Sequence, residues 1–119
     1  MITKVNLAEK FSHIHEPWQP KILGEVNDAY VKAGKLQGEF IWHKHDREDE
    51  LFLVIKGHLV IHLRDGEVSL DPGEFVIIPK GVEHCPFAEE EVQVILLEPK
   101  TTVNTGDTPS DRKITPEWI

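Results

Sequence analysis

The sequence predicts an all-β domain, a sandwich or barrel of short strands with one short helix at its N-terminus. Three observations carry this reading. The chain holds 11 Val and 11 Ile against 4 Ala, and β-branched side chains suit a pleated sheet better than a helix. Its 8 Gly and 8 Pro fall between apolar runs, where they make turns. The runs are short and near-regular in spacing, the pattern of sandwiches and barrels.

The elements follow in order. Residues 6–12 read as a helix, with Asn6 as cap and Glu9 at the capping-box position. Pro17 and Pro20 make the next stretch a loop. Strands are predicted at 21–26 and 29–33 around an Asn27-Asp28 turn, and a longer one at 36–45. The polar segment 46–49 connects it to 50–55, a run apolar on both faces and so a strand covered on both sides. Gly57 ends that run. Residues 58–63 and 67–70 pair through Asp65-Gly66, a hairpin turn. Asp71-Pro72-Gly73 leads to a strand at 74–78, and Pro79-Lys80-Gly81 turns again. The Glu89–Glu91 run reads as a charged turn that guards a last strand at 92–98. The chain thus divides into an N-terminal arm with the first strands (1–35), a core (36–98) and a polar tail (99–119), with Trp118 as the tail's anchor.

Length and charge narrow the function. With 119 residues the chain is one domain, and 13 basic against 21 acidic residues leave a net charge of −8. Such a chain has no cationic surface with which to release counterions from nucleic acid. No apolar run is long enough to span a membrane, and no leader-like apolar segment opens the chain. One Cys allows neither an intrachain disulfide nor a multi-Cys zinc site. These features predict a cytoplasmic protein that binds neither nucleic acid nor a membrane.

The chemistry concentrates in Gly38-Glu-Phe-Ile-Trp-His43-Lys-His45-Asp-Arg-Glu-Asp-Glu50. On an extended segment His43 and His45 point to the same side, and an antiparallel neighbour would bring Glu50 beside them. Two imidazoles and a carboxylate suit a borderline divalent metal. Farther on, Pro79 and Gly81 bend the chain just before His84, a third imidazole.

These residues resemble the cupin family. Its first motif is Gly, five residues, His-x-His, three or four residues, Glu, six residues, Gly. Here His43, His45, Glu50 and Gly57 match, and the gap from Gly38 is one residue short. Its second motif is Gly, five residues, Pro-x-Gly, two residues, His, three residues, Asn. Gly73, Pro79, Gly81 and His84 match, and Ala88 stands for the Asn. The resemblance covers roughly residues 36–98. It implies a double-stranded β-helix, or jelly-roll barrel, holding a divalent transition metal (Mn, Fe, Co, Ni, Cu or Zn) through His43, His45, Glu50 and His84. The implied function is that of a small-molecule metalloenzyme of dioxygenase, lyase or isomerase type, similar to the cupin part of mannose-6-phosphate isomerases. The alternative is a cupin that binds a sugar or organic acid without catalysis.

Parity places Ile41 and Glu39 on the face of His43, and Phe52 and Val54 on that of Glu50. The lining is then mostly apolar, with Glu39 the sole acid–base candidate. A lone acid disfavours isomerisation, which needs an acid and a base. His58 and His62 are expected to face outward, His13 and His15 to be exposed, and Cys85 to be a buried, inert thiol. Edge strands in need of cover predict a homodimer.

Overall fold

The computed structural model describes residues 2–119. The elements are α1 (Leu7–Ser12), β1 (Lys21–Val26), β2 (Ala29–Glu39), β3 (Glu50–Lys56), β4 (Leu59–Leu63), β5 (Gly66–Leu70), β6 (Phe75–Ile78) and β7 (His84–Pro99). All strand pairs are antiparallel, in the order β1-β2-β7-β3-β6, with β4 pairing both β5 and β7. The fold is a jelly-roll barrel, as expected.

β7 organises it. One edge pairs with β2 along nearly its whole length. The other edge pairs with β4 through His84–Phe87 and with β3 through residues 93–97. The strand therefore bends between two partners, and the bend falls at Glu89–Glu91. The predicted charged turn is instead continuous strand. Its three glutamates face solvent, and Lys35 approaches Glu91 at 3.9 Å. Gly57 is required beside this bend. Its φ is +94°, and a Cβ there would stand 3.0 Å from Glu91 O and 3.1 Å from Val92 Cα.

The strand predicted at 36–45 is also redrawn. β2 runs unbroken from Ala29 to Glu39 with a bulge between Leu36 and Gly38, and 40–45 leaves the ladder except at a His43–His84 bridge. The reason lies in the tail. Asp107 N donates to Lys44 O (3.0 Å), Lys44 N to Asp107 Oδ1 (3.0 Å), and Thr108 Oγ1 to Trp42 O (3.0 Å). Backbone groups that would enter a ladder are taken by residues 107–108, which satisfies them equally well.

Two apolar cores result. The inner one joins Leu36, Phe52, Val54, Leu59, Ile61, Val92, Val94 and Leu96. The outer one lies beneath α1, where Phe11 and Ile14 pack on Leu23, Ala33 and Ile95. The double-sided apolarity of β3 is thus explained: Phe52 and Val54 point inward, while Leu53 and Ile55 support the outer cluster. Asn6 Oδ1 caps α1 by accepting from Glu9 N at 3.0 Å. The tail closes the sheet edge through Ile22 N to Glu117 O (2.8 Å) and Ile119 N to Ile22 O (3.1 Å). Trp118 remains about half exposed and meets Tyr30 edge-on at 5.8 Å.

Candidate metal centre

The four residues singled out by spacing come together inside the barrel. His43 and His84 exchange backbone hydrogen bonds of 3.1 and 2.9 Å, which holds the loop before β3 against the start of β7. Gly81 N donates to His45 O at 2.8 Å, so the Pro79–Gly81 turn fixes the second histidine. Glu50 is the first residue of β3. One donor atom from each of His43, His45, Glu50 and His84 lies within 4.8 Å of the others, and all four side chains are buried.

The donor chemistry fits a cation. His43 Nδ1 and His84 Nδ1 each bond the carbonyl two residues earlier, Ile41 O and Val82 O, at 2.9 Å. A backbone carbonyl can only accept, so Nδ1 carries the hydrogen and Nε2 keeps its lone pair for the cluster. Glu50 Oε1 stands 3.3 Å from His84 Nε2 and 3.5 Å from His45 Nε2. His45, fully enclosed, has no hydrogen-bond partner for either ring nitrogen. A buried orphan of this kind is costly unless something completes it. Burial and the neighbouring His84 push the His43 pKa down to about 4, so its ring is neutral. Burial opposes the charge on Glu50, but a hydrogen bond shared with Glu98, with His45 and His84 close by, holds its carboxyl well below the usual range.

Above the cluster opens a small pocket walled by Trp18, Leu36, Phe40, Phe52, Pro86 and Leu96. Trp18 and Phe40 stack at 4.7 Å. Trp18 holds φ +63°, a strained value for an aromatic residue. Its N donates to Lys35 O at 2.9 Å and its Nε1 to Gln37 O at 2.8 Å, so the surroundings over-determine the position. Arg112 covers the same wall, 4.6 Å from the Phe40 ring centre, and donates to Glu39 O at 3.1 Å.

The other expectations divide. Phe52 lines the pocket as parity predicted, but Phe40 takes the place expected of Ile41. The alternation runs regularly from Leu36 to Phe40 and shifts only between Phe40 and His43, where the chain leaves the ladder. Glu39 is exposed, with its carboxylate 3.8 Å from Cys85 Sγ, and it is not part of the pocket wall. Cys85 is buried; burial and the Glu39 charge push its thiol up to about 11, which keeps it protonated. His58 lies on the surface against Asp71 (2.8 Å), and His62 tilts over Phe87.

Two functional candidates escaped the sequence reading. Glu98 and Lys32 are buried and meet at 2.7 Å, and Glu98 lines the pocket beside Glu50. Burial, then the charge of Glu50, raises the Glu98 pKa well above the carboxylate range, with Lys32 opposing. Two facing carboxyls share one negative charge, and Lys32 is the buried cation beside it. Parity held the signal: Glu98 shares the face of Val92, Val94 and Leu96, and Lys32 that of Leu36.

The cupin domain model matches residues 30–99. The chain is a cupin. A cupin-2 domain containing protein from Shewanella frigidimarina NCIMB 400 is 44% identical and superposes with a TM-score of 0.79, over 80% of this cupin and 93% of that chain. Protein YdbB of Bacillus subtilis (strain 168) is 41% identical over 80 residues, 66% of this chain and 71% of YdbB. Acireductone dioxygenase of the same organism is 28% identical over 75 residues. That match takes in 59% of this cupin and 42% of the dioxygenase, so the chain spans less than half of that enzyme's length.

Proposed function

We propose that this cupin is a metal-dependent enzyme of dioxygenase type, acting on a small, largely apolar molecule. The observation that carries the proposal is the cluster of His43, His45, Glu50 and His84, buried at the foot of an apolar pocket with donor lone pairs turned inward. A divalent transition metal held by these residues supplies Lewis acidity and, for a redox-active ion, one-electron chemistry with dioxygen. The chain's own part is to position and to exclude. Carbonyls of Ile41 and Val82 fix two imidazole rings. The Trp18–Phe40 stack and Leu96 keep bulk water from the reacting molecule.

The likeness to acireductone dioxygenase supports this choice of chemistry. So do the walls. A sugar phosphate, the substrate of a mannose-6-phosphate isomerase, is covered in hydroxyls, and few side chains of this pocket have polar atoms to meet them. The test is metal analysis of the purified protein followed by oxygen uptake with the Fe(II), Mn(II), Ni(II) and Zn(II) forms against small enols and phenols. His84→Ala is expected to lose metal and turnover together. Turnover that survives without metal sinks the reading, and metal binding without turnover in any form leaves a ligand-binding cupin.

We also propose that a second copy covers the outer face where Phe75, Ile77 and Leu97 stand exposed. Light scattering at micromolar concentration is expected to report a dimer, and a monomer overturns it.

A further inference from the structure

We propose that the metal ion enters through a second, polar cavity against His45, and that His45 is the ligand that receives it first. The proposal rests on the metal centre and adds the way into it: a charged passage separate from the apolar pocket.

Two cavities of opposite character touch the cluster, and they share no wall residue. One is the apolar pocket, which reaches His43 and Glu50. Arg112 lays its guanidinium over the Phe40 and Trp18 rings of that pocket at 4.6 and 5.5 Å. A hydrated cation gains nothing from such walls and meets a like charge at the mouth. The other cavity carries His45 beside Lys44, Asp46, Arg47, Glu48 and Asp107, three acids against two bases. The fold sets each acid in place through one oxygen. Asp46 Oδ1 stands 3.2 Å from Lys44 Nζ, Glu48 Oε2 accepts from Thr101 Oγ1 at 2.8 Å, and Asp107 Oδ1 accepts from Lys44 N at 3.0 Å. Carboxylates fixed along a wall attract a divalent ion and offer oxygens in place of the waters it sheds.

The ligands also differ in how firmly their rings are held. Carbonyls pin the His43 and His84 rings through Nδ1 at 2.9 Å. The His45 ring is equally buried, yet neither of its nitrogens has a hydrogen-bond partner among the described residues. Only its backbone is fixed, by Gly81 N on His45 O. Its Nε2 stands 3.5 Å from Glu50 Oε1, so this residue belongs both to the polar cavity and to the cluster. Gly106 thins the wall beside it, since a Cβ there would stand 3.0 Å from His43 Cδ2 and collide with Lys44 O. An unpinned donor on the charged wall is the one placed to meet an ion in the cavity and pass it to the other three.

The test is the kinetics of zinc binding, followed by stopped flow with a chromogenic chelator as the donor and then as the acceptor of the ion. Val103 lines the polar cavity and is none of the four ligands, so Val103→Trp plugs the passage. Uptake and release are expected to slow together by at least about tenfold, with the dissociation constant within about twofold, because a raised barrier slows both directions alike. Asp46→Asn/Glu48→Gln should slow uptake by about three- to tenfold at low salt and lose most of that difference at high salt. Arg112→Ala, at the apolar mouth, should leave both rates near those of the parent. His45→Gln should chiefly slow uptake, whereas His43→Gln should chiefly speed release; the same split in both variants overturns the part given to His45. Unchanged rates in a folded Val103→Trp overturn the route, and so does faster uptake in Arg112→Ala, which places entry at the apolar mouth. If Val103→Trp fails to fold, the charge variant decides, and uptake in it equal to the parent's at low salt overturns the route. All of these outcomes leave the metal centre standing. A parent protein that takes up no zinc overturns the metal centre, and the route falls with it.

Discussion

Two clusters of buried charge lie side by side in this barrel, and they are finished to different degrees. Lys32 and Glu98 meet at 2.7 Å with their side chains about 3% exposed, so the fold supplies both signs of charge. The other cluster gathers three imidazoles around the Glu50 carboxylate and leaves both ring nitrogens of His45 without a partner. The first is balanced by the chain itself. The second is balanced only when a cation arrives. A buried charge therefore need not mark a function, but a buried charge with unspent donors around it does.

Breaking the balanced pair should cost most. Lys32→Met leaves the negative charge that Glu98 shares with Glu50 buried without its lysine, and removing one partner of a buried pair typically costs about 3–5 kcal/mol. Denaturant melts are expected to report that loss. They should also report recovery of part of it in Lys32→Met/Glu98→Leu, where Glu50 is the one buried carboxyl left. A single variant as stable as the parent would mean that the pair carries no such charge.

The unfinished cluster should respond to acid instead. In the metal-free protein burial and His84 depress the His43 pKa to about 4, against an ordinary value of 6.5. Between those values the unfolded chain takes up a proton that the folded ring refuses. The stabilising contribution is therefore complete above pH 6.5 and declines as pH falls toward 4, by on the order of 3 kcal/mol. Melting temperature against pH for the metal-free protein checks this, with His43→Gln expected to flatten the acid limb. A metal-free protein equally stable at pH 4 and pH 7 would sink the argument.

Zinc sharpens the same contrast at a smaller scale. An ion that binds the folded chain alone stabilises it by about 2.7 kcal/mol at a hundred times its dissociation constant. The parent should melt higher with zinc, and Lys32→Met/Glu98→Leu should gain as much. His84→Ala should gain little, because one of the four inward donors is gone. A zinc response that survives in His84→Ala would place the ion elsewhere.

The two clusters also differ in how legible they were. His43, His45, Glu50 and His84 could be read because local spacing carries them: two histidines on one side of an extended segment, an acid just beyond a polar turn, a histidine after Pro79 and Gly81. The balanced pair is separated by 66 residues in sequence. It becomes visible only once β2 and β7 are known to run side by side, with Lys32 opposite Leu96 and Tyr30 opposite Glu98. The same long-range pairing kept Glu89–Glu91 in strand, since a turn could not serve both β4 and β3 from one continuous β7. Glu39 was misplaced for a local reason. Alternation counts faces correctly only along a regular strand, and the count back from His43 crosses residues 40–43, where the chain has left β2.

Neither cluster is sealed by the strands alone; the tail closes the pocket above both. Gly106 packs against His43 and Lys44 so closely that a Cβ there would collide with Lys44 O, and its φ of +60° disfavours other residues. Arg112 lays its guanidinium over the Phe40 and Trp18 rings at 4.6 and 5.5 Å and bonds Glu39 O. Contacts of this kind at a half-exposed site contribute about 0.5–1 kcal/mol. Arg112→Ala is thus the mildest of these changes: global stability and zinc uptake should barely move. Its effect should be local. Amide hydrogen exchange at residues 104–114 is expected to speed several-fold while that of β3 and β7 does not, because this stretch is then tied to the barrel mouth only by the hydrogen bonds of Asp107 with Lys44 and of Thr108 with Trp42. Uniform acceleration across β3 and β7 would instead make Arg112 part of the barrel's core stability rather than a clasp over its mouth.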